Sequence, residues 1–317
     1  MHKVFIDGQN GTTGLQIHER LRRRDDIELL IIDEAQRKNP QAKKNVIEAA
    51  DVLILCLPDE AAIEAAALAG DCVVIDASTA HRTHPDWVYG LPELPGAQRD
   101  QIRTSKRIAN PGCYPTGVVL ALRPLVETGV IASNAALFVS ALSGYSGGGK
   151  GMIEDFSRVD QSACRPYALS LDHKHRPEMQ VYSGLTEAPV FLPHVGNFYQ
   201  GMLIEIGIKK RAFGRQVTGQ AVIDAWHQHY QDEPFIRIMA LNPSTALDGK
   251  FLDPEAVNGT NLVDLMCFES EQDLLLVARL DNLGKGAAGA AVQNLNIALN
   301  IEESVSLIQS EPSITAP

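Results

Sequence analysis

Residues 3–14 read Lys3-Val4-Phe5-Ile6-Asp7-Gly8-Gln9-Asn10-Gly11-Thr12-Thr13-Gly14. A short apolar strand over 3–7 runs into three glycines spaced GxxGxxG, and these open a helical pattern over 15–24. Glycine lets the chain turn tightly and lets a pyrophosphate approach the backbone, with its charge at a helix N-terminus. The spacing is a variant of GxGxxG and is a weak signal alone. Its place, directly after the first strand and before the first helix, makes Gly8, Asn10, Gly11, Thr12, Thr13 and Gly14 candidate dinucleotide contacts.

Further apolar strands follow at 28–33, 52–57 and 73–77, with an alanine-rich helix at 60–69. Continuous Val/Ile/Leu runs separated by helices belong to strands buried on both faces, so the first third reads as a doubly wound parallel sheet of the Rossmann kind, an α/β domain. Asp33 stands where an NAD-binding sheet carries the acid for the ribose 2′-hydroxyl. Arg37 and Lys38 follow it and suit a 2′-phosphate equally, so these residues leave NAD and NADP both open.

From Cys113 the texture changes. A proline-started helix over 115–127 leads to a strand at 137–142 and a glycine loop over 143–151. Strands then read at 189–192, 201–209, 235–239, 261–268 and 273–280, the last two paired through the polar turn 269–272. This predicts an α+β domain with a mixed or antiparallel sheet and helices on one side. A last helix over 285–301 opens with GKGAAG, and the tail 311–317 is expected to fray.

The chain has 317 residues, 28 Lys and Arg against 39 Asp and Glu, and a net charge of −11. The length suggests two domains. The acidic balance argues against a nucleic-acid partner, yet leaves room for anionic small molecules in a local positive pocket. No apolar run approaches the roughly 18–20 residues of a membrane span. The first residues lack a signal peptide's apolar core, so a cytoplasmic, membrane-free location is expected. Five cysteines (Cys56, Cys72, Cys113, Cys164, Cys267) are odd in number, scattered and without CxxC, which speaks against a disulfide framework or a metal site.

One of the five differs. Asn110-Pro-Gly-Cys113-Tyr-Pro-Thr116 puts Cys113 at a strand-to-helix junction, where the macrodipole favours thiolate and Gly112 gives a substrate access. Cys56, Cys72 and Cys267 sit in apolar strands and read as inert. A nucleophilic thiol needs a proton-handling partner. His194, after a strand and before a Gly/Asn turn, and the run His173-Lys-His175-Arg176-Pro-Glu178 are the two places that offer one. Ser143-Gly144-Tyr-Ser-Gly-Gly-Gly-Lys150-Gly151, with hydroxyls, several free backbone amides and a lysine, suits an anion such as phosphate.

Together GQNGTTG (8–14), NPGCYPT (110–116), SGYSGGGKG (143–151) with HKHRPE (173–178), and DNLGKGAAGAAVQNLN (281–296) resemble the short form of the N-acetyl-gamma-glutamyl-phosphate reductase family, within the aspartate-semialdehyde dehydrogenase superfamily. The likeness spans nearly the whole chain. It implies a dinucleotide-binding domain over 1–112 and 283–317 and a catalytic, oligomerising domain over 113–282. It also implies NADP(H) as cofactor, with Pro58, Ser78 and Asn282 among its contacts, and a homodimer or homotetramer. By the same resemblance Cys113 is the nucleophile and His194 the general acid/base. Ser143, Gly144 and Lys150 hold phosphate, and His175 and Arg176 take the substrate's carboxylate or acetyl end. Many relatives carry arginine where Lys150 stands, and a lysine grips a phosphate less specifically. The implied reaction is reduction of an acyl phosphate, N-acetyl-gamma-glutamyl phosphate, to its semialdehyde through a cysteine thioester. Aspartyl or aminoadipyl phosphate as substrate, and a non-catalytic NADP-sensing regulator, are the alternatives.

Overall fold

The computed structural model describes residues 1–33, 35–36, 39–158, 163–213 and 217–307. Arg37, Lys38 and the tail 311–317 lie outside the described residues. Contacts divide the chain into two units. One comprises Met1–Pro92, Gly96–Gly112 and Ala287–Ile308; the other includes Glu93–Pro95 and Cys113–Gly286.

The first unit runs β1 (His2–Asp7), α1 (Thr12–Leu21), β2 (Ile27–Leu30), α2 (Pro40–Ala49), β3 (Val52–Leu55), α3 (Asp59–Ala67), β4 (Val73–Asp76), β5 (Val88–Tyr89), α4 (Gln98–Thr104) and β6 (Arg107–Ala109). Its six strands are parallel in the order β2-β1-β3-β4-β6-β5. Every residue of β3 is buried, as the uninterrupted Val-Leu-Ile-Leu run requires. The strand order reverses at β1, with β2 on one side and β3 on the other, which places residues 8–14 at the crevice where such sheets bind ligands. Helix α2 was not anticipated from periodicity. It is announced by its cap: the Asn39 side chain accepts from the N–H groups of Gln41 and Ala42, and Pro40 takes the first helical position.

The second unit runs α5 (Cys113–Glu127), β7 (Phe138–Gly144), α6 (Gly149–Phe156), β8 (Cys164–Pro166), α7 (Arg176–Ser183), β9 (Val190–Gly196), β10 (Met202–Lys209), α8 (Gly219–Tyr230), β11 (Ile236–Ile238), β12 (Val263–Glu269) and β13 (Asp273–Leu280). Its mixed sheet is ordered β11-β12-β13-β10-β7-β9-β8. The β12–β13 hairpin forms as the sequence predicts. Gly117 lets α5 lie directly on this sheet, because a Cβ there would enter the side chains of Ile204, Ala278 and Leu280. Helix α8 is tied to α5 by the Trp226 indole N–H donating to the Ala121 carbonyl and the Tyr230 hydroxyl donating to that of Leu120, both at 2.9 Å.

Two expectations are corrected here. Residues 143–151 are not an open loop: β7 extends through Gly144, a short 3₁₀ turn covers Tyr145–Gly148, and α6 follows. His194 does not follow its strand but lies inside it, because β9 pairs with β7 on one side and β8 on the other as far as Gly196. Tertiary pairing carries the strand past Pro193, where local signals alone end it.

After β13 the chain passes through a π-helical turn, Gly284–Ala288, and returns to the first unit as α9 (Gly289–Ala298). Small residues let α9 pack closely against α1, α4 and β4, with 289–297 buried throughout. Among the described residues no helix is long and apolar enough to cross a membrane.

Candidate active site

The turn after β1 has the shape of a phosphate cradle. Gly8 adopts φ +92°, and a Cβ there would strike the Cys56 carbonyl; one on Gly14 would strike that of Gly8. Gly11 caps α1 without a side-chain bond. The first amides of α1 therefore point outward with no intrahelical acceptor. The Thr12 hydroxyl is buried with no partner among the described residues. An uncapped helix start, a backbone too close for side chains and an orphaned hydroxyl fit a dinucleotide pyrophosphate. Asp33, beyond the end of β2, is exposed and accepts from the Ala35 N–H at 2.9 Å.

The ends of β3 and β4 are laced together. Pro58 caps α3, and the next residue, Asp59, accepts from the Thr79 N–H and hydroxyl at 2.9 and 2.5 Å. Fully buried Asp76 accepts from the N–H and hydroxyl of Ser78 at 2.9 and 2.7 Å and meets His81 Nδ1 at 2.6 Å. His81 stacks on Trp87 with ring centroids 3.9 Å apart. Nothing local to His81 marks it in the sequence; the signal there is Asp76, a charged residue closing the otherwise apolar β4. Asn110, of the cysteine motif, is pinned by its N–H to the Asp76 carbonyl and by its amide to that of Ala287.

In the second unit Cys113 is the first residue of α5 and is half-buried. Its backbone therefore lies at the positive end of the helix macrodipole. Three other thiols are held protonated by their surroundings. Burial pushes Cys56 up to about 12 and Cys72 to about 11, and it raises Cys267 to about 12, so all three are protonated near neutrality.

The residue after Cys113, Tyr114, anchors an aromatic and histidine cluster. Tyr114 meets the rings of Phe191, His175 and His173 at 5.1, 6.0 and 6.1 Å. Burial, first among several causes, lifts the Tyr114 phenol well above its ordinary value, and burial likewise raises Tyr167 to about 12. Both therefore keep their protons and can donate. His173 accepts the His175 N–H at Nδ1 (3.1 Å), which fixes the proton of its neutral form on Nε2. His194 meets this cluster differently. Alternation along β9 sets its ring on the face opposite Phe191, and its Nδ1 lies 3.3 Å from the Ala141 carbonyl.

The glycine segment differs from expectation in one chemical respect. The N–H groups of Gly144, Tyr145 and Ser146 are not free: they donate to the carbonyls of Gly201, Phe198 and Tyr199 at 2.9, 2.9 and 3.0 Å. The donors suited to an anion are instead those at the start of α6, where Gly148 caps the helix without a side-chain bond and Lys150 is exposed. Ser143 is buried and donates to the Gly144 carbonyl. Buried Asn282 accepts from the Gly201 N–H at 2.7 Å and donates to the Ser146 hydroxyl at 3.0 Å. Arg176 donates to the Leu171 and Pro189 carbonyls at 2.7 and 3.2 Å, bracing the start of α7.

A glycine cradle on a parallel Rossmann-like sheet, in a chain that adds a second unit built on a mixed sheet, defines the class of nicotinamide-dependent oxidoreductases. Residues 3–104 match the family profile "Semialdehyde dehydrogenase, NAD binding domain", and 113–282 match "Semialdehyde dehydrogenase, dimerisation domain". The chain is 46% identical to N-acetyl-gamma-glutamyl-phosphate reductase of Trichormus variabilis, covering 96% of this chain and 99% of that one. It is also 46% identical to N-acetyl-gamma-glutamyl-phosphate reductase 2 of Pseudomonas putida, covering 93% and 96%. The chain belongs to the N-acetyl-gamma-glutamyl-phosphate reductases of the semialdehyde dehydrogenase family. The fold is shared with aspartate semialdehyde dehydrogenase II of Vibrio cholerae (TM-score 0.72, 17% identity, 95% of this chain and 98% of that one). It is shared too with the NADP-bound enzyme of Candida albicans (TM-score 0.65, 16% identity, 95% and 100%).

Proposed function

We propose that the protein reduces N-acetyl-gamma-glutamyl phosphate to N-acetyl-glutamate 5-semialdehyde with release of phosphate. The observation that carries this reading is Cys113 as the first residue of α5, at the positive end of a helix, whereas Cys56, Cys72 and Cys267 lie in or beside strands. The Cys113 thiolate attacks the γ-carbonyl carbon; the carbon–oxygen bond to phosphate breaks, phosphate leaves with its electron pair, and a thioester remains. A dinucleotide held by Gly8, Asn10, Gly11, Thr12, Thr13 and Gly14, with Pro58 and Ser78 beyond, supplies when bound the hydride that reduces this thioester; the resemblance favours NADP(H). Collapse of the resulting thiohemiacetal alkoxide releases the aldehyde and returns the thiolate. Lys150 and the first amides of α6 take the phosphate, with Ser143 and Gly144 shaping the approach, and His175 and Arg176 border the distal end of the substrate.

The resemblance assigns acid/base work to His194. A second reading gives it to His175, because Tyr114, the residue after the thiol, faces the His175 ring while it meets His194 through a main-chain carbonyl.

The second unit also carries an exposed apolar row across its sheet, Leu275, Gly207, Phe138 and Val190, with the three side chains 36, 48 and 41% exposed. Together with the dimerisation profile over 113–282, this supports a homo-oligomer closed through that face. The deciding assay is oxidation of N-acetylglutamate semialdehyde by the purified protein, dependent on both NADP and phosphate. Turnover on aspartate semialdehyde with none on the acetylated compound overturns the substrate assignment.

A further inference from the structure

Lys285 and Glu93 form an ion pair at 2.5 Å with both side chains wholly buried in the second unit. The Lys285 ammonium also lies 5.9 Å from the centre of the Phe235 ring. Nothing in the reaction described above uses either charge.

Their surroundings point to a purpose. Lys285 sits between two glycines that allow no side chain: a Cβ on Gly284 would strike the Thr260 carbonyl, and one on Gly286 would come to 2.9 Å from the Cys113 Cβ. The turn that carries it is π-helical, a rare form with i→i+5 bonds that occurs mostly as single turns and frequently at functional sites. Glu93 comes from Pro92-Glu93-Leu94-Pro95, where prolines on either side limit the backbone. Glu93 and Cys113 are residues at which the chain enters the second unit, and Gly286 is where it leaves. The ion pair joins the first of these points to the last, and Gly286 joins the last to the thiol. Buried pairs are weak sources of stability, since apolar residues of equal volume often serve as well, but they define one arrangement sharply.

We infer that the Glu93–Lys285 pair positions the Cys113 thiol, by holding the π-turn in the register that seats Gly286 against the cysteine. The inference rests on Cys113 being the nucleophile. Lys285 and Glu93 are positioning residues and touch no reacting atom.

The test replaces both charges with apolar groups of similar size, Glu93→Leu with Lys285→Met. The expected result is an unfolding midpoint no lower than native, with a loss of about tenfold or more in kcat and in the iodoacetamide alkylation rate of Cys113. Glu93→Gln, almost isosteric, is the second variant should the first fail to fold, and is expected to move both rates the same way by at least about threefold. A folded variant of either kind whose alkylation rate and kcat stay within about twofold of native overturns the inference. Alkylation needs no substrate, so it reports on positioning even if the native protein proves inactive toward N-acetylglutamate semialdehyde.

Discussion

The phenol of Tyr114 donates to the main-chain oxygen of His194 across 3.4 Å, so the residue after the thiol touches this histidine through its backbone rather than its ring. The two histidine assignments therefore separate cleanly by mutation. Whichever of His194→Ala and His175→Ala removes the general acid/base should lower kcat by roughly 10²–10⁴. The other should act mainly on KM. Steady-state kinetics on both variants decides, and equal, minor losses in both kcat values would remove these two histidines from the proton transfer.

Cys113→Ser should leave turnover below about 1% of native while dinucleotide binding, followed by fluorescence quenching, stays within about twofold. Substantial residual turnover would overturn covalent catalysis.

Thiol chemistry should be selective. Near pH 7.5, limited iodoacetamide should label Cys113 and exposed Cys164, sparing Cys56, Cys72 and Cys267, as peptide mass mapping can verify. The raised thiols also make stability depend on pH. Their folded values, about 12, 11 and 12, lie above the ordinary 9.0, so their contribution is complete below pH 9 and declines as pH climbs toward 11–12. Tm should accordingly fall on the alkaline side of pH 9, and replacing Cys56 with alanine should flatten that fall. An equal alkaline slope in the variant would discard the cause.

Gly207 is the open centre of the apolar row, with nothing within 4 Å of the place a Cβ would take. Gly207→Arg should leave the fold intact yet shift the protein toward monomer in analytical ultracentrifugation. An unchanged assembly would move the interface to another face.

Gly8→Ala must place a methyl against the Cys56 carbonyl at φ +92°. It should weaken dinucleotide binding at least about tenfold or prevent folding, because left-handed backbone and a steric clash coincide. Calorimetric titration of the folded fraction tests this.

The parallel sheet was legible because short apolar runs such as Val52–Leu55 and Val73–Ile75 alternate with helical stretches. Cys113 was legible because Pro, Gly, Tyr and Pro around it make poor core. What escaped notice depends on which particular partner a side chain or amide meets. His81 acquires meaning from Asp76 and Trp87, Lys285 from a glutamate nearly two hundred residues earlier, and the amides of 144–146 are consumed by carbonyls at 198–201. Periodicity registers which face a residue takes, and is silent about which remote group it meets there.

Those last bonds couple two stretches that sequence comparison would treat as independent. Because 144–146 and 198–201 are clipped amide to carbonyl, and Asn282 binds both, a length change in either must be answered in the other or three backbone donors lose their acceptors. Grafting specificity between relatives should therefore succeed when both segments are exchanged as one cassette, and fail when either travels alone.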